Sequence, residues 1–435
     1  MALSKDKKRP RLSLADRILN RMELEVDKPY QFWWKESGRS RSTPLHDPEI
    51  TSKMEKTLSN QVDDNLQQVE NGHTVLHFNY QGLSELPSQL FTDEKYRHLR
   101  RMHLKRNRLK TLPDLLGELS NLTELYLHSN DLIKLPDSIG KLKQLKSLDL
   151  SNNNLSSLPD TITDLENLSV LAVSNNKIHD LPKGFDKMRR LTVLDLMNNH
   201  LRYLPLEVIE CPHLQRLLLD RNHLTWLPKQ LCRMKSLVEL SVAGNDLIML
   251  PLDLGHIPTL RTVFVDNNKC LHALPLSLQN QEIGFNSCGT KNFNATGHQH
   301  ISPLSVRVKH DDGVKVIYLP PELLHIGNKE DSVVTLLELA TRQVFKERHN
   351  LSLRELPVNL KSSMCEPTAS CVACQRHLFT DGFPLVFEGQ IRLYSLHYLS
   401  LCCSMNCMRI ASVLIQLPVV YPEPTDLGQV LALVN

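Results

Sequence analysis

The sequence predicts an α/β solenoid: a curved stack of nine 23-residue repeats, preceded by an N-terminal helical arm and followed by a helix and a small cysteine-rich module. Three observations predict it. Asparagine recurs at Asn107, Asn130, Asn153, Asn176, Asn199, Asn222, Asn245 and Asn268, always one 23-residue step apart. Around each asparagine, apolar residues stand at −5, −3 and +2; another stands at +5 and a proline at +6 in every unit but the last, whose proline, Pro275, comes one residue later. Six of the ten cysteines fall between Cys365 and Cys407.

Residues 1–72 precede the repeats. Lys5, Lys7, Lys8, Arg9 and Arg11 form a basic cluster, open to two readings: a nuclear import signal or an ordinary basic tail. Residues 35–48, rich in Ser, Arg and Pro, predict a flexible linker. Ile50, Met54, Leu58, Val62 and Leu66 recur every four residues and predict a helix. Its expected use is to cap the first repeat, which would otherwise expose its leucines.

One unit of the repeat, predicted over residues 73–280, reads Leu125, Leu127, Asn130, Leu132, Leu135, Pro136. The first unit has Gln81 in the asparagine place. Leu-x-Leu makes a short strand with one buried face. The asparagine satisfies backbone groups where the chain turns, and stacked copies predict a ladder. Proline ends the strand and starts the convex segment. No unit buries its leucines alone, so stacking builds one continuous core. Amphipathic helices do not explain a strict 23-residue phase. The frame resembles the leucine-rich repeat, which implies a horseshoe whose concave face binds protein. The strand residues between the leucines are then the candidate binding residues: Arg101, His103, Lys105, Tyr126, His128, Asp149, Val170, Val193, Asp195, Met197, Arg216, Leu218, Asp220 and Phe264. A merely solvated surface is the alternative.

Residues 281–330 predict a cap and linker. Val306 and Val308 alternate, as do Val314, Val316 and Tyr318, around Asp311-Asp312-Gly313, which reads as a hairpin. Residues 331–364 follow. Thr335-Leu336 with Ala340 and Val344 puts three apolar positions on one helical face. Leu356-Pro357 with Leu360 and Met364 comes twelve positions after Val344. The pair resembles the elongin-binding box and cullin box of cullin–RING ligase receptors. That resemblance implies elongin B/C and a cullin as partners, recruited through Leu336, Ala340, Val344, Leu356, Pro357 and Leu360. The competing reading is an amphipathic helix packed on the solenoid's end.

In residues 365–412, Cys371-x2-Cys374 and Cys403-x3-Cys407 are separated by 28 residues that alternate like strands. Two cysteine knuckles on a β ribbon suit a closed, structural zinc site with four thiolates, a zinc-ribbon-like module. Cys402 could replace Cys403, Cys365 could compete, and free thiols are the alternative. Residues 413–435 read as a tail.

Taken in order, residues 73–412 resemble a small intracellular family of leucine-rich-repeat-containing proteins, that of proteins 28 and 58. The likeness rests on the repeats, Tyr318-Leu319-Pro320-Pro321-Glu322-Leu323, Leu336-Leu337-Glu338-Leu339-Ala340 and the two cysteine pairs. It implies a non-enzymatic binding protein. No glycine-rich phosphate loop is present, and no nucleophile–base constellation is visible. A net charge of +3 argues against nucleic acid as partner. The absence of an apolar run in the first twenty residues, or of one long enough to span a bilayer, predicts a cytoplasmic or nuclear chain without membrane contact. Three functions compete: a ligase substrate receptor, a signalling scaffold similar to leucine-rich-repeat proteins of Ras and phosphatase pathways, and, disfavoured by that charge, a nucleic-acid-binding protein using the zinc ribbon.

Overall fold

A computed structural model describes residues 64–70, 72–284, 304–310, 313–326, 335–347, 367–391, 394–415 and 417–420. All of them belong to one unit, Leu58–Asn435. The basic cluster, the linker and most of the predicted N-terminal helix lie outside the described residues. The helix at 64–70 is the end of that prediction. It buries Leu66 and Val69 in the same core as Leu76 and Phe78, so it covers the first repeat. Its Glu70 accepts from Tyr96 Oη at 2.8 Å and pairs with Lys95 at 2.9 Å.

Each repeat contributes one three-residue strand: β1 (Val75–His77), β2 (Arg101–His103), β3 (Glu124–Tyr126), β4 (Ser147–Asp149), β5 (Val170–Ala172), β6 (Val193–Asp195), β7 (Arg216–Leu218), β8 (Glu239–Ser241) and β9 (Thr262–Phe264). They pair in parallel and in sequence order. After Pro113, Pro136, Pro159 and Pro228 the chain turns through one 3-10 segment on the convex side. The four leucines of the frame fill the interior: Leu125, Leu127, Leu132 and Leu135 are all buried. Each contributes roughly 1.5–3 kcal/mol of burial. The sheet has one strand more than the nine repeats supply. β11 (Glu282–Gly284) pairs with β9 although the sequence has Cys288 where the repeat frame places asparagine. The Phe264 ring lies against Gly284, where any Cβ would collide with it.

The asparagine ladder is built as expected. Asn176 Nδ2 donates to Leu150 O and Val173 O, each at 3.0 Å, and Asn176 Oδ1 accepts from Leu155 N at 3.0 Å. One requirement was not apparent in the sequence. The residue before each ladder position is left-handed, from Tyr80, Arg106 and Ser129 through Asn152, Asn175, Asn198 and Arg221 to Gly244 and Asn267. That turn aims the ladder side chain inward. Asparagine and glycine tolerate it best.

The hairpin forms: β12 (Ser305–His310) pairs with β13 (Gly313–Tyr318), and His272 Nδ1 lies 2.8 Å from Val316 O. The chain then crosses repeats seven and eight. Leu319 and Leu323 are buried, and Glu322 approaches Lys229 at 3.9 Å. This is the structural work of the Tyr318–Leu323 stretch. Beyond it come β14 (His325–Ile326), α1 (Leu336–Glu347), β15 (Ala369–Ser370), β16 (His377–Leu378), β17 (Asp381–Ile391), β18 (Tyr394–Cys402), α2 (Met405–Leu414) and β19 (Val419–Val420). β18 pairs in parallel with β10 (Ala273–Pro275), a strand of the ninth repeat. Ser370 N and Oγ donate to the Asp253 carboxylate at 3.1 and 3.0 Å. The C-terminal module is thus joined to the solenoid by a shared sheet.

Candidate functional site

The concave face carries the predicted strand residues in three rows across β2–β9, but it does not offer all of them to solvent. Tyr126, Asp149, Arg216, Leu218 and Asp220 are buried. The cause is curvature. Strands about 4.8 Å apart crowd their side chains on the inner side of the bend, where they cover and bond one another. Asp220 accepts from Ser241 Oγ at 2.6 Å and Ala243 N at 2.8 Å. Arg216 Nε donates to Glu239 at 2.9 Å, while its Nη2 has no hydrogen-bond partner. Asp149 accepts from Ser151 N, and Asp195 from Met197 N, each at 3.0 Å.

The two ends of this face differ in charge. On β2 and β3, Arg101 is exposed, and His103, Lys105 and His128 are half-buried. His77, His103 and Tyr126 stack at 4.9 and 5.0 Å, with Lys105 Nζ 5.3 Å from the Tyr126 ring. Burial, then the charges of His77, Lys105 and Arg101, lower His103 to about 4, so it is neutral at pH 7. From β4 onward most of its charged groups are acidic, Asp149, Asp195, Asp220 and Glu239, with Arg216 paired to Glu239. Between these groups Val170, Val193 and Met197 are half-buried, and Phe264 closes the far end.

Burial raises Asp195 from 3.8 to about 6, helped by Asp149 and Asp220 and opposed by Met197 N–H and Ser174. The folded state therefore holds this proton more tightly than the unfolded chain does. Its stabilising contribution is full below about pH 4 and lost as pH rises through 6. Asp195→Asn keeps an acceptor for Met197 N–H and removes the charge. It is expected to raise stability at pH 7 by about 1–2 kcal/mol and to change little at pH 4. Urea unfolding at both pH values checks this. Equal effects at the two would refute it.

The second candidate site is the cysteine cluster. The Sγ atoms of Cys371, Cys374, Cys403 and Cys407 all lie within 4.8 Å of one another. Cys374–Cys403 is 3.6 Å and Cys403–Cys407 is 3.5 Å. A zinc tetrahedron with bonds of about 2.3 Å has sulfur–sulfur edges of about 3.8 Å, so the donor set fits that ion and leaves no open position. The first pair sits in a tight knuckle: Cys371 N donates to Arg376 O and Gln375 N to Cys371 O, both at 2.8 Å, with Gln375 left-handed at φ 59°. The second pair is not a knuckle, unlike the ribbon expected. Cys403 follows the end of β18, and Cys407 lies in the first turn of α2, capped by Ser404 Oγ. Cys402 is buried beside the cluster. Its thiol donates to Cys371 Sγ, and that bond, with several backbone N–H groups, holds Cys371 below the usual thiol range. Cys365 lies outside the described residues.

Of the box-like residues, Ala340 is exposed and Val344 half-buried on α1. Leu336 opens the helix. Leu356, Pro357 and Leu360 lie outside the described residues. The buried side of α1 is one that sequence reasoning did not single out. Glu338 and Thr341 are buried on it, and the Phe345 ring meets His377 and Phe379 edge-on at 5.0 and 5.4 Å. Also unforeseen is a groove of about 220 Å³ whose walls include Trp226, Met249, Pro251, Pro320 and Pro321, with Trp226 about half exposed.

A ten-stranded parallel sheet with an asparagine ladder, short convex turns and an apolar interior is the fold of leucine-rich-repeat proteins, a class of generally non-catalytic protein-interaction modules. Residues 88–194 match the leucine-rich repeat region family, and residues 189–247 a leucine rich repeat family. Solved structures share the likeness. The leucine-rich repeat domain of the type III effector XopL is 24% identical, covering 52% of this chain and 79% of that one, with a TM-score of 0.45. A leucine-rich-repeat protein of Leptospira interrogans is 26% identical over 47% and 70%, with a TM-score of 0.37. The Toll–Spatzle complex of Drosophila is 27% identical over 46% and 29%, with a TM-score of 0.42. Among the described residues no helix is long and apolar enough to cross a membrane.

Proposed function

We propose that this chain is a substrate receptor of an elongin–cullin RING ubiquitin ligase, related to the family of leucine-rich repeat-containing proteins 28 and 58. The target protein lies on the concave face, across Val170, Val193 and Met197 and between the basic and acidic ends. The ligase is recruited through α1 and the Leu356–Leu360 segment, in the cytoplasm or nucleus. Zinc at the cysteine cluster holds the C-terminal module. The observation that carries the reading is the outer face of α1. Ala340 is exposed there beside Leu339, itself half exposed, while the opposite face of the same helix is anchored. A small residue on an exposed helix face lets a partner helix approach closely. A second reading, a scaffold whose C-terminal module only caps, is favoured by the β10–β18 pairing, which covers the solenoid's end whether or not a ligase binds.

Affinity purification of the full chain separates the two. Ala340→Arg adds a charge at an exposed position, so folding is expected to be unchanged while elongin recovery falls at least tenfold. Val193→Glu with Met197→Glu is expected to abolish target recovery and spare elongin. Wild type that never recovers elongin, yet retains its target, sinks the receptor reading in favour of the scaffold.

A further inference from the structure

We propose that Glu338 is the positioning residue through which the cysteine cluster holds α1, so that metal at the cluster governs presentation of the outer face of α1. The inference rests on the zinc and receptor readings above and concerns how that surface is regulated.

Glu338 has no exposed surface. Its carboxylate accepts from Phe379 N at 3.0 Å, Thr380 N at 2.6 Å, Asp381 N at 3.2 Å and Thr380 Oγ1 at 3.2 Å. Arg342 Nε closes the network from the helix side at 2.8 Å. Thr335, just before the helix, donates from N to Asp381 Oδ2 at 2.6 Å and from Oγ1 to Asp381 Oδ1 at 3.0 Å. Phe345 packs on His377 and Phe379. The anchors of α1 at Thr335, Glu338 and Phe345 therefore all fall within His377–Asp381.

That five-residue segment is tied to the cluster at both ends. It begins three residues after Cys374, directly behind the left-handed Gln375 of the knuckle. It runs on into β17, which pairs along its length with β18, and β18 ends at Cys402, next to Cys403. Cys403 N also donates to Cys371 Sγ at 3.4 Å, joining the two pairs. A metal holding four sulfurs fixes the knuckle against the end of the hairpin and keeps three successive N–H groups converging on one point. Without it, the knuckle and the end of the hairpin lose their common tie, and the convergence is lost. A carboxylate cannot remain buried once its donors disperse. Glu338 must then leave for water, and α1 leaves with it. Because the link is an equilibrium coupling, it acts in both directions: undocking α1 must weaken metal binding by the factor by which metal loss weakens docking.

The test uses the purified full chain, zinc, a chelator and amide hydrogen exchange. Removing metal is expected to speed exchange in residues 336–347 at least tenfold and to leave β3–β8 unchanged. Glu338→Gln, loaded with one zinc per chain, is expected to speed the same amides without chelator and to respond little to its addition. In competition with a chelating dye, its zinc affinity is expected to fall by a similar factor. Helix exchange indifferent to metal removal overturns the link, and so does a Glu338→Gln variant with faster exchange but unaltered zinc affinity. A chain that neither carries zinc nor takes it up overturns the metal reading itself, a result distinct from either. Elongin recovery plays no part in these measurements, so the receptor reading stands or falls separately.

Discussion

Asn176→Leu is expected to lower the stability of the solenoid by about 3 kcal/mol, read as a drop in the urea midpoint at unchanged slope. The side chain is buried and occupies the middle of the ladder. Its Nδ2 serves carbonyls of two successive repeats, Leu150 and Val173, and its Oδ1 serves the N–H of Leu155. Leucine is similar in size and more apolar, so a purely hydrophobic account predicts a neutral or stabilising change. The ladder account predicts the reverse, because three backbone groups lose a partner where water does not reach. Asn176→Asp sharpens the contrast: it keeps the acceptor but turns a carboxylate toward two carbonyls, and should destabilise as well. Since repeats couple to their neighbours, hydrogen exchange should rise first in repeats four to six. A melting curve matching wild type would remove the ladder from the list of forces holding the fold.

Cys371→Ser with Cys374→Ser is expected to abolish zinc binding and unfold the C-terminal module locally while most of the solenoid stays folded. Purified wild type should carry about one zinc per chain, with zinc–sulfur distances near 2.3 Å by X-ray absorption. Folding of such modules is coupled to the metal, so its loss is expected to cost the module several kcal/mol. The apolar side chains of the hairpin, Phe383, Leu385, Phe387 and Leu401, are buried and soften that cost without replacing it. Protease should then cut within residues 367–414 and leave β2–β8 intact. Metal analysis that finds no zinc in chain prepared without chelator would refute the site. Full protease resistance of the zinc-free double variant would refute its structural role.

The parts of the fold that repeat were legible because periodicity multiplies a weak local signal. One Asn-x-Leu-x-x-Leu-Pro says little, but eight asparagines in phase fix strand, turn and core together. The repeat phase names the strand residues between the leucines but not their exposure, because curvature, not local sequence, decides how far Arg216, Leu218 and Asp220 are covered. The cysteine quartet was legible by spacing. That its second pair sits at the start of a helix was not, since Ser404 as an N-cap signals a helix only once the strand before it is known to end there. The α1 helix was read for its leucines, and its decisive residue proved to be the acid among them. Thr335-x-x-Glu338 is a helix-start pattern in which Glu338 would normally turn back to the cap. Here it reaches 41 to 43 positions along the chain instead, which no local pattern encodes.

The β10–β18 ladder has a consequence for synthesis on the ribosome. Ala273–Pro275 emerges with its edge unpaired, and its partner, His397–Leu399, emerges about 120 residues later. At about 5–20 residues per second, the growing solenoid displays an open strand edge for roughly 6–25 s, long enough for the earlier repeats to have stacked. During that interval the edge can recruit any extended segment, including the same strand of a neighbouring nascent chain. Messages truncated between these two points should therefore yield products that aggregate although every repeat is present, and their solubility should return once the codons for β18 are included.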